Sequence, residues 1–201
     1  MLAVGSQGTL AFSASYGSTS AAWLAAAPNY PSGVNPATVN LNSLLYGVVY
    51  ETNPDFSQTG VPLWVVVGDY TDAGGVVRPL ILYTTVAPTT VNNVVVWNSW
   101  VAAPLAASLT GSLRALNAGA DPINGGLTQL VAVGDNGLIV RDLLSIPGLD
   151  NFGNQIDIIT TTPGQTWTAV NSPVSSTLRA LAHGNFGLQA VGDGGSRIFS
   201  Y

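Results

Sequence analysis

The sequence predicts an all-β fold built from a repeated antiparallel unit, and three observations lead to this prediction. The composition favours strands and turns: the chain has 23 glycines, no lysine and a single glutamate, whereas surface helices are usually rich in lysine and glutamate. Short apolar runs containing many valines and threonines alternate with glycine-containing polar turns. One hairpin pattern then occurs four times along the chain, which indicates a repeat architecture.

The repeated hairpin consists of an apolar strand, a glycine, a polar turn and a second apolar strand. Glycine permits tight turns at little cost, and an aspartate after it can hydrogen-bond to the turn backbone. The aligned glycines are Gly5, Gly68, Gly134 and Gly192. The hairpins cover about residues 2–14, 62–85, 128–142 and 187–201 of what we expect to be a single domain, residues 1–201.

Two further elements recur between the hairpins in a constant order. The first is a tryptophan with a short strand that ends at a proline, around Trp23, Trp97 and Trp167. Because they recur, we expect these three rings to pack in the core between repeats. The second element is another apolar strand, which begins near Asn42, Gly111 and Ser176. One repeat therefore contains four short strands, and the chain should contain three, four, four and three in succession.

Four antiparallel strands per repeat are typical of a β-propeller blade. The predicted architecture is thus a propeller-like array of four-stranded antiparallel blades, with about 3.5 to 4 blades per chain. Two arrangements stay open: the chain closes on itself as a small ring, or a second copy or another protein completes a partial ring. We favour completion by oligomerisation, because the predicted sheet edges carry few of the charged side chains that protect exposed edges.

Residues 126–201 resemble a known family of propellers. The segments VAVGDNGLIVRD and PGQTWTAVNSPVSSTLRALAHGNFGLQAVGDGG are similar to blades of the photosystem II stability and assembly factor-like proteins, which belong to the sialidase-like, Asp-box (BNR) propellers. The resemblance implies a propeller fold. The Asp-box is represented only by TTPGQTW, with Pro163 where the aspartate would stand. Arg114 and Arg179 occupy corresponding places in different repeats, so we interpret them as scaffold and not as a sialidase site.

Composition excludes several classes of partner. The net charge is −5 and the five arginines are scattered, which argues against nucleic acid, since phosphate binding needs clustered basic residues. Only 7% of the residues are charged, which favours a surface partly covered in an assembly. No apolar run is long enough for a membrane-spanning helix, and the first residues lack the features of a signal peptide, so we expect neither feature.

The residues that could carry chemistry do not form a recognisable site, and we predict no enzyme, no catalytic residue, no cofactor and no metal. His183 is the only histidine, whereas a metal site normally needs several ligands. The acidic segment Asp69–Asp72 lacks the regular ligand alternation of a calcium loop, and its calcium binding stays open. Because Asp69, Asp135 and Asp193 belong to different repeats, we expect them to lie far apart.

Aromatic residues are the candidate contacts for a glycan or a partner protein, because aromatic faces are good anchors. The candidates are Trp64, Tyr70, Trp100 and Tyr30, in a group that also includes Tyr46 and Tyr50. The predicted function is structural and non-enzymatic: a phage virion component, either a head-decoration or a tail protein, whose partners are copies of itself or other virion subunits. One alternative is a glycan-binding, lectin-like propeller, and another is an assembly factor for a protein complex.

Overall fold

The computed structural model describes residues 1–13, 23–26, 28–52, 58–92, 94–120, 127–149, 155–159, 164–184 and 187–200. Throughout these residues the regular structure consists of β-strands and short 3-10 turns, without an α-helix. The prediction of an all-β fold is therefore confirmed. None of the same residues forms a helix that is long and apolar enough to cross a membrane.

The described residues form eighteen strands and three 3-10 turns. The strands are β1 (Leu2–Val4), β2 (Leu10–Phe12), β3 (Leu24–Ala25), β4 (Val39–Thr52), β5 (Gln58–Thr71), β6 (Val77–Thr84), β7 (Thr89–Val91), β8 (Val94–Val96), β9 (Val101–Ala102), β10 (Leu113–Ala120), β11 (Leu127–Gly134), β12 (Ile139–Leu143), β13 (Ser145–Leu149), β14 (Gln155–Ile159), β15 (Thr168–Ala169), β16 (Leu178–Gly184), β17 (Gly187–Gly192) and β18 (Arg197–Ser200). The turns are Pro36–Thr38, Asp135–Gly137 and Asp193–Gly195.

Four antiparallel sheets follow one another along the chain. The first sheet is β1-β2-β3, the second β4-β5-β6-β9, the third β10-β11-β12-β15 and the fourth β16-β17-β18. They contain three, four, four and three strands, which are the predicted numbers. Two separate hairpins, β7-β8 and β13-β14, lie in the connections before β9 and β15, where the sequence analysis predicted no hairpin.

The pairing registers identify equivalent positions in the last three sheets. The repeated glycine of the second strand lies opposite a leucine of the first strand in each: Leu41 and Gly68, Leu113 and Gly134, Leu178 and Gly192. Alignment of Asn42 with Gly111 and Ser176, as the sequence suggested, would put Leu44 at this position, so the predicted alignment is three residues out for the second sheet. Leu41 and Leu44 are three residues apart in the same apolar strand, and the sequence pattern does not distinguish them.

The repeated glycine is required by close packing of the first strand. A Cβ atom added at Gly134 would lie 1.9 Å from the carbonyl oxygen of Ser112. In the first sheet the described residues place no strand here, and a Cβ added at Gly5 would meet the Cβ of Thr9 at an ordinary 3.7 Å. The glycine thus lets two backbones approach where any side chain would separate them.

Each pair of neighbouring sheets encloses an apolar cluster, and tryptophans fill the first two. Trp100 is fully buried between the first and second sheets, and Trp167 is buried between the second and third. Each directly precedes the last strand of its own sheet, so Trp100, and not the predicted Trp97, is the repeat equivalent of Trp167. Trp97 is also buried, with its ring centroid 5.4 Å from that of Phe12.

Trp23 occupies the same position in the first sheet but is 48% exposed. The prediction that it lies in the core is wrong. Trp100 and Trp167 each pack on the preceding sheet, and no described sheet precedes the first one.

Candidate interaction surfaces

A β-bulge near the start of the first strand recurs in the second, third and fourth sheets. Its extra residue is Asn42, Arg114 or Arg179. Arg114 forms a bidentate ion pair with Asp135, with N–O distances of 2.9 and 3.0 Å, and Arg179 pairs in the same way with Asp193. Bidentate pairs of this kind fix geometry. Both arginines therefore hold their own turns, as expected for scaffold residues.

The turns of the second and third sheets lie side by side. Ser112, at the start of the third sheet, donates its hydroxyl to Asp69 at 2.5 Å and its backbone N–H to Asp135 at 3.2 Å. The expectation that Asp69 and Asp135 lie far apart is therefore wrong, because the first strands of the two sheets adjoin. Burial opposes ionisation of Asp135, but hydrogen bonds from Arg114 and from the Ser112 N–H outweigh it and lower its pKa.

Asp69 and Asp72 are held by different groups. Asn40 and Ser112 donate to Asp69, whereas Arg78 donates to Asp72 at 2.8 Å and lowers its pKa through that hydrogen bond. Backbone N–H groups of the same turn also donate to Asp72. Over the described ranges, no group of three or more His, Asp or Glu residues is placed to hold a metal ion.

Asp142 is a buried carboxylate that the sequence analysis missed. It lies on β12 and accepts hydrogen bonds of 2.7 Å from the N–H of Gly164 and from the hydroxyl of Thr166. Burial raises its pKa, and these hydrogen bonds oppose the rise. The turn before Trp167 is thus held by a carboxylate from a neighbouring strand. Residues 161–163 of that segment lie outside the described residues.

An aromatic groove of about 600 Å³ opens beside the first and second sheets. Tyr46 on β4 is 57% exposed, and its ring centroid lies 4.9 Å from that of Trp64 on β5. The Trp97 ring contacts the Trp64 ring edge-on, with 5.2 Å between the ring centroids. The strand pairing places Tyr46 opposite Trp64, so one antiparallel pair presents two adjacent rings to the solvent.

The four predicted contact residues do not form one surface. Trp64 lines the aromatic groove. Trp100 is fully buried, so its side chain is not accessible to a glycan or a partner protein, and its prediction as a contact residue is wrong. Tyr30 is half-buried and donates its hydroxyl to the carbonyl of Gly8 at 3.1 Å. Tyr70 lines a different pocket, of about 270 Å³. Of the wider group, the side chain of Tyr50 lies outside the described residues.

Among the described residues, the first and fourth sheets each have an apolar face that no other sheet covers. On the first sheet this face carries Trp23 together with Ala3 and Ala25, which are exposed. On the fourth sheet it carries Val191 and Phe199, which are 46% and 42% exposed. We call these surfaces the Trp23 face and the Phe199 face.

The strand registers identify the positions in the second and third sheets that correspond to Phe199 and Val191, and these positions are buried. Val133 in the third sheet is the equivalent of Val191 and is 1% exposed. Tyr83 in the second sheet is the equivalent of Phe199 and is 8% exposed. The next sheet covers both Val133 and Tyr83, whereas no described sheet follows the fourth.

These surfaces offer aromatic stacking and apolar burial with few charges, which suits contacts with proteins or with sugar rings. No protein-family model, no characterised protein and no solved structure matches the chain.

Proposed function

We propose that the chain is a non-enzymatic structural protein that acts through protein–protein contacts. The observation that carries this proposal is the pair of uncovered apolar faces, on which Trp23 and Phe199 occupy positions that are buried in the inner sheets. Contiguous exposed apolar surface of this kind usually marks an interaction site. The few charged residues, 7% of the chain, accord with a surface that neighbouring subunits cover.

The architecture we propose is a propeller-like array in which the four sheets are successive blades. In support, the first strands β4, β10 and β16 lie side by side. Asn42 on β4 donates to the carbonyl of Leu113 at 2.8 Å, and Asn117 on β10 donates to the carbonyl of Leu181 at 3.1 Å. Radial repetition around an axis brings the first strands of neighbouring blades together in this way.

The setting we propose is a virion, with the chain as a head-decoration or tail protein. The test is mass spectrometry of virus particles purified from a lysate of cells that produce the virus encoding the chain. We expect the chain in the particle fraction in fixed proportion to the major capsid or tail subunit. Detection only in the soluble cell fraction would contradict the virion setting.

Glycan binding is a second candidate function, and the Tyr46–Trp64 pair favours it, because sugar rings stack on exposed aromatic faces. The test is a glycan array probed with the wild type and with Tyr46→Ala. We expect loss of one stacking ring to weaken binding of any glycan hit about 10-fold or more. Val86→Ser, at an exposed position that does not line the groove, serves as the control. An array without any hit would remove this candidate.

A further inference from the structure

We propose that the chain associates head-to-tail with a second copy of itself, with the Trp23 face of one copy packed on the Phe199 face of the next. This inference rests on the proposed structural function, because it names the partner of the two uncovered faces. It is argued from the way in which neighbouring sheets already pack inside one chain.

Inside the chain, an aromatic side chain of one sheet shares an apolar cluster with a tryptophan of the next. Phe12 of the first sheet shares a cluster with Trp100 of the second, and Tyr83 of the second shares one with Trp167 of the third. The registers place Phe12 and Tyr83 at equivalent positions. Phe12 pairs with Leu2 and Tyr83 with Val65, and each of these partners lies three residues before the glycine of its hairpin. Each of these interfaces thus pairs an aromatic residue of one sheet, which we call the packing acceptor, with a tryptophan of the next sheet, which we call the packing donor.

The interface between the third and fourth sheets departs from this pattern on both sides at once. Within the described residues the fourth sheet contains three strands, and the apolar cluster between the third and fourth sheets contains no tryptophan. The acceptor position of the third sheet is correspondingly Arg141 and not an aromatic residue. A groove of about 250 Å³ remains there, lined by Arg141 and Ile198 among others, and Phe199 of the edge strand β18 borders it too. Aromatic acceptor and tryptophan donor are present together or absent together.

Among the described residues, the first sheet holds one unpaired packing donor and the fourth sheet one unpaired packing acceptor. Phe199 stands at the acceptor position of the fourth sheet, and Trp23 at the donor position of the first. Both are exposed, and no apolar cluster joins the first and fourth sheets within the described residues. The internal rule therefore assigns Trp23 of one copy to Phe199 of another.

The chemistry of the two faces is compatible with this contact. Ala3 and Ala25 beside Trp23 are small, so the indole projects from a flat surface that a second sheet can approach. On the other face, the guanidinium of Arg197 lies 4.4 Å from the centroid of the Phe199 ring. Tryptophan is the best aromatic partner for such a cation. Because donor and acceptor lie on different faces, the contact is heterologous and repeats from copy to copy.

The test measures mass by light scattering and sedimentation equilibrium over a range of concentrations. We expect the wild type to associate, and we expect Trp23→Ser and Val191→Glu each to raise the dissociation constant about 30-fold or more, as loss of an interface anchor does. Both positions are exposed, and circular dichroism checks the fold of each variant. Val86→Ser and Val91→Glu change exposed side chains on neither face and should leave association unchanged.

Mixing the two variants decides the orientation of the contact. Trp23→Ser keeps an intact Phe199 face and Val191→Glu keeps an intact Trp23 face, so an equimolar mixture should form a one-to-one dimer that grows no further. A wild type that is monomeric throughout, association that neither variant weakens, or a mixture that stays monomeric would each overturn the proposal. A monomeric chain found in purified particles would leave the structural function standing, whereas association in solution with absence from particles would contradict only the virion setting.

Discussion

Replacing Gly134 by alanine tests whether the glycine at this position is needed for the first strand of the sheet to pack closely against the second. The new Cβ would lie 1.9 Å from the Ser112 carbonyl oxygen, whereas real Cβ atoms essentially never approach another heavy atom within 3.0 Å. The two backbones must therefore separate by about 1 Å or more. That movement strains the 2.9 Å hydrogen bond from Asp135 N–H to the Ser112 carbonyl and the 3.2 Å bond from Ser112 N–H to the Asp135 carboxylate.

The expected cost is about 3–5 kcal/mol, from about 1–3 kcal/mol of overpacking and about 1 kcal/mol for each of the two weakened hydrogen bonds. For a chain of this size it corresponds to a fall in Tm of about 6–20 °C. The assay is chemical denaturation followed by circular dichroism, with calorimetry for Tm. Because the backbone at Gly134 is extended, with φ of −168°, the cost measures close approach and not an unusual conformation.

Gly5→Ala is the matched control, since Gly5 is the same repeat position in the sheet that lacks a first strand. Its new Cβ would meet the Cβ of Thr9 at 3.7 Å, so we expect a change within about 0.5 kcal/mol. Equal destabilisation by the two substitutions, or none by Gly134→Ala, would refute the packing argument.

Three further predictions concern buried and paired side chains. Burial raises the pKa of Asp142 above its ordinary value of 3.8, so above pH 3.8 the folded state retains a proton that the unfolded state has lost. The unfolding free energy of the wild type should therefore fall relative to that of Asp142→Asn as the pH rises through the folded-state pKa, and a pH-independent difference would contradict this. Trp167→Phe should lower the unfolding free energy by about 1 kcal/mol more than Trp100→Phe in denaturant titrations. The reason is that Trp167 Nε1 donates to a backbone carbonyl at 3.0 Å, whereas Trp100 Nε1 has no acceptor among the described residues. Equal costs of the two substitutions would contradict this prediction. Arg114→Ala should cost at most about 1 kcal/mol, since the pair with Asp135 is partly exposed, and the cost should shrink at high salt. A cost that does not change with salt would mean that lost packing, and not the lost ion pair, causes it.

Much of the fold could be read from local patterns along the chain. Alternation of apolar runs with glycine turns predicted the hairpins, and the repeated order of elements predicted the number of strands in each main sheet. The role of Arg114 and Arg179 as scaffold followed from their recurrence. These inferences succeeded because strand formation and tight turns depend mainly on residues close together in sequence.

Which residues meet across sheets could not be read in the same way. Trp97 and Trp100 are both tryptophans before the same proline, and only the pairing of β9 with β6 shows that Trp100 takes the repeat position. Asp142 holds a turn that begins 22 residues later, and no local motif connects the two. The candidate contact Trp64 was identified from sequence, but its partner Tyr46 becomes meaningful only through the register of β4 on β5.

The sequence by itself determined that the chain is all-β and that its strands pair in hairpins around glycine-containing turns, because these properties depend on residues close together in the chain. The tertiary structure decided which apolar side chains are covered. It buries Trp100 and Trp167 against a preceding sheet and leaves Trp23 and Phe199 exposed, since burial depends on which sheet stands next in space. The two exposed rings mark the two apolar surfaces on which the proposed association depends.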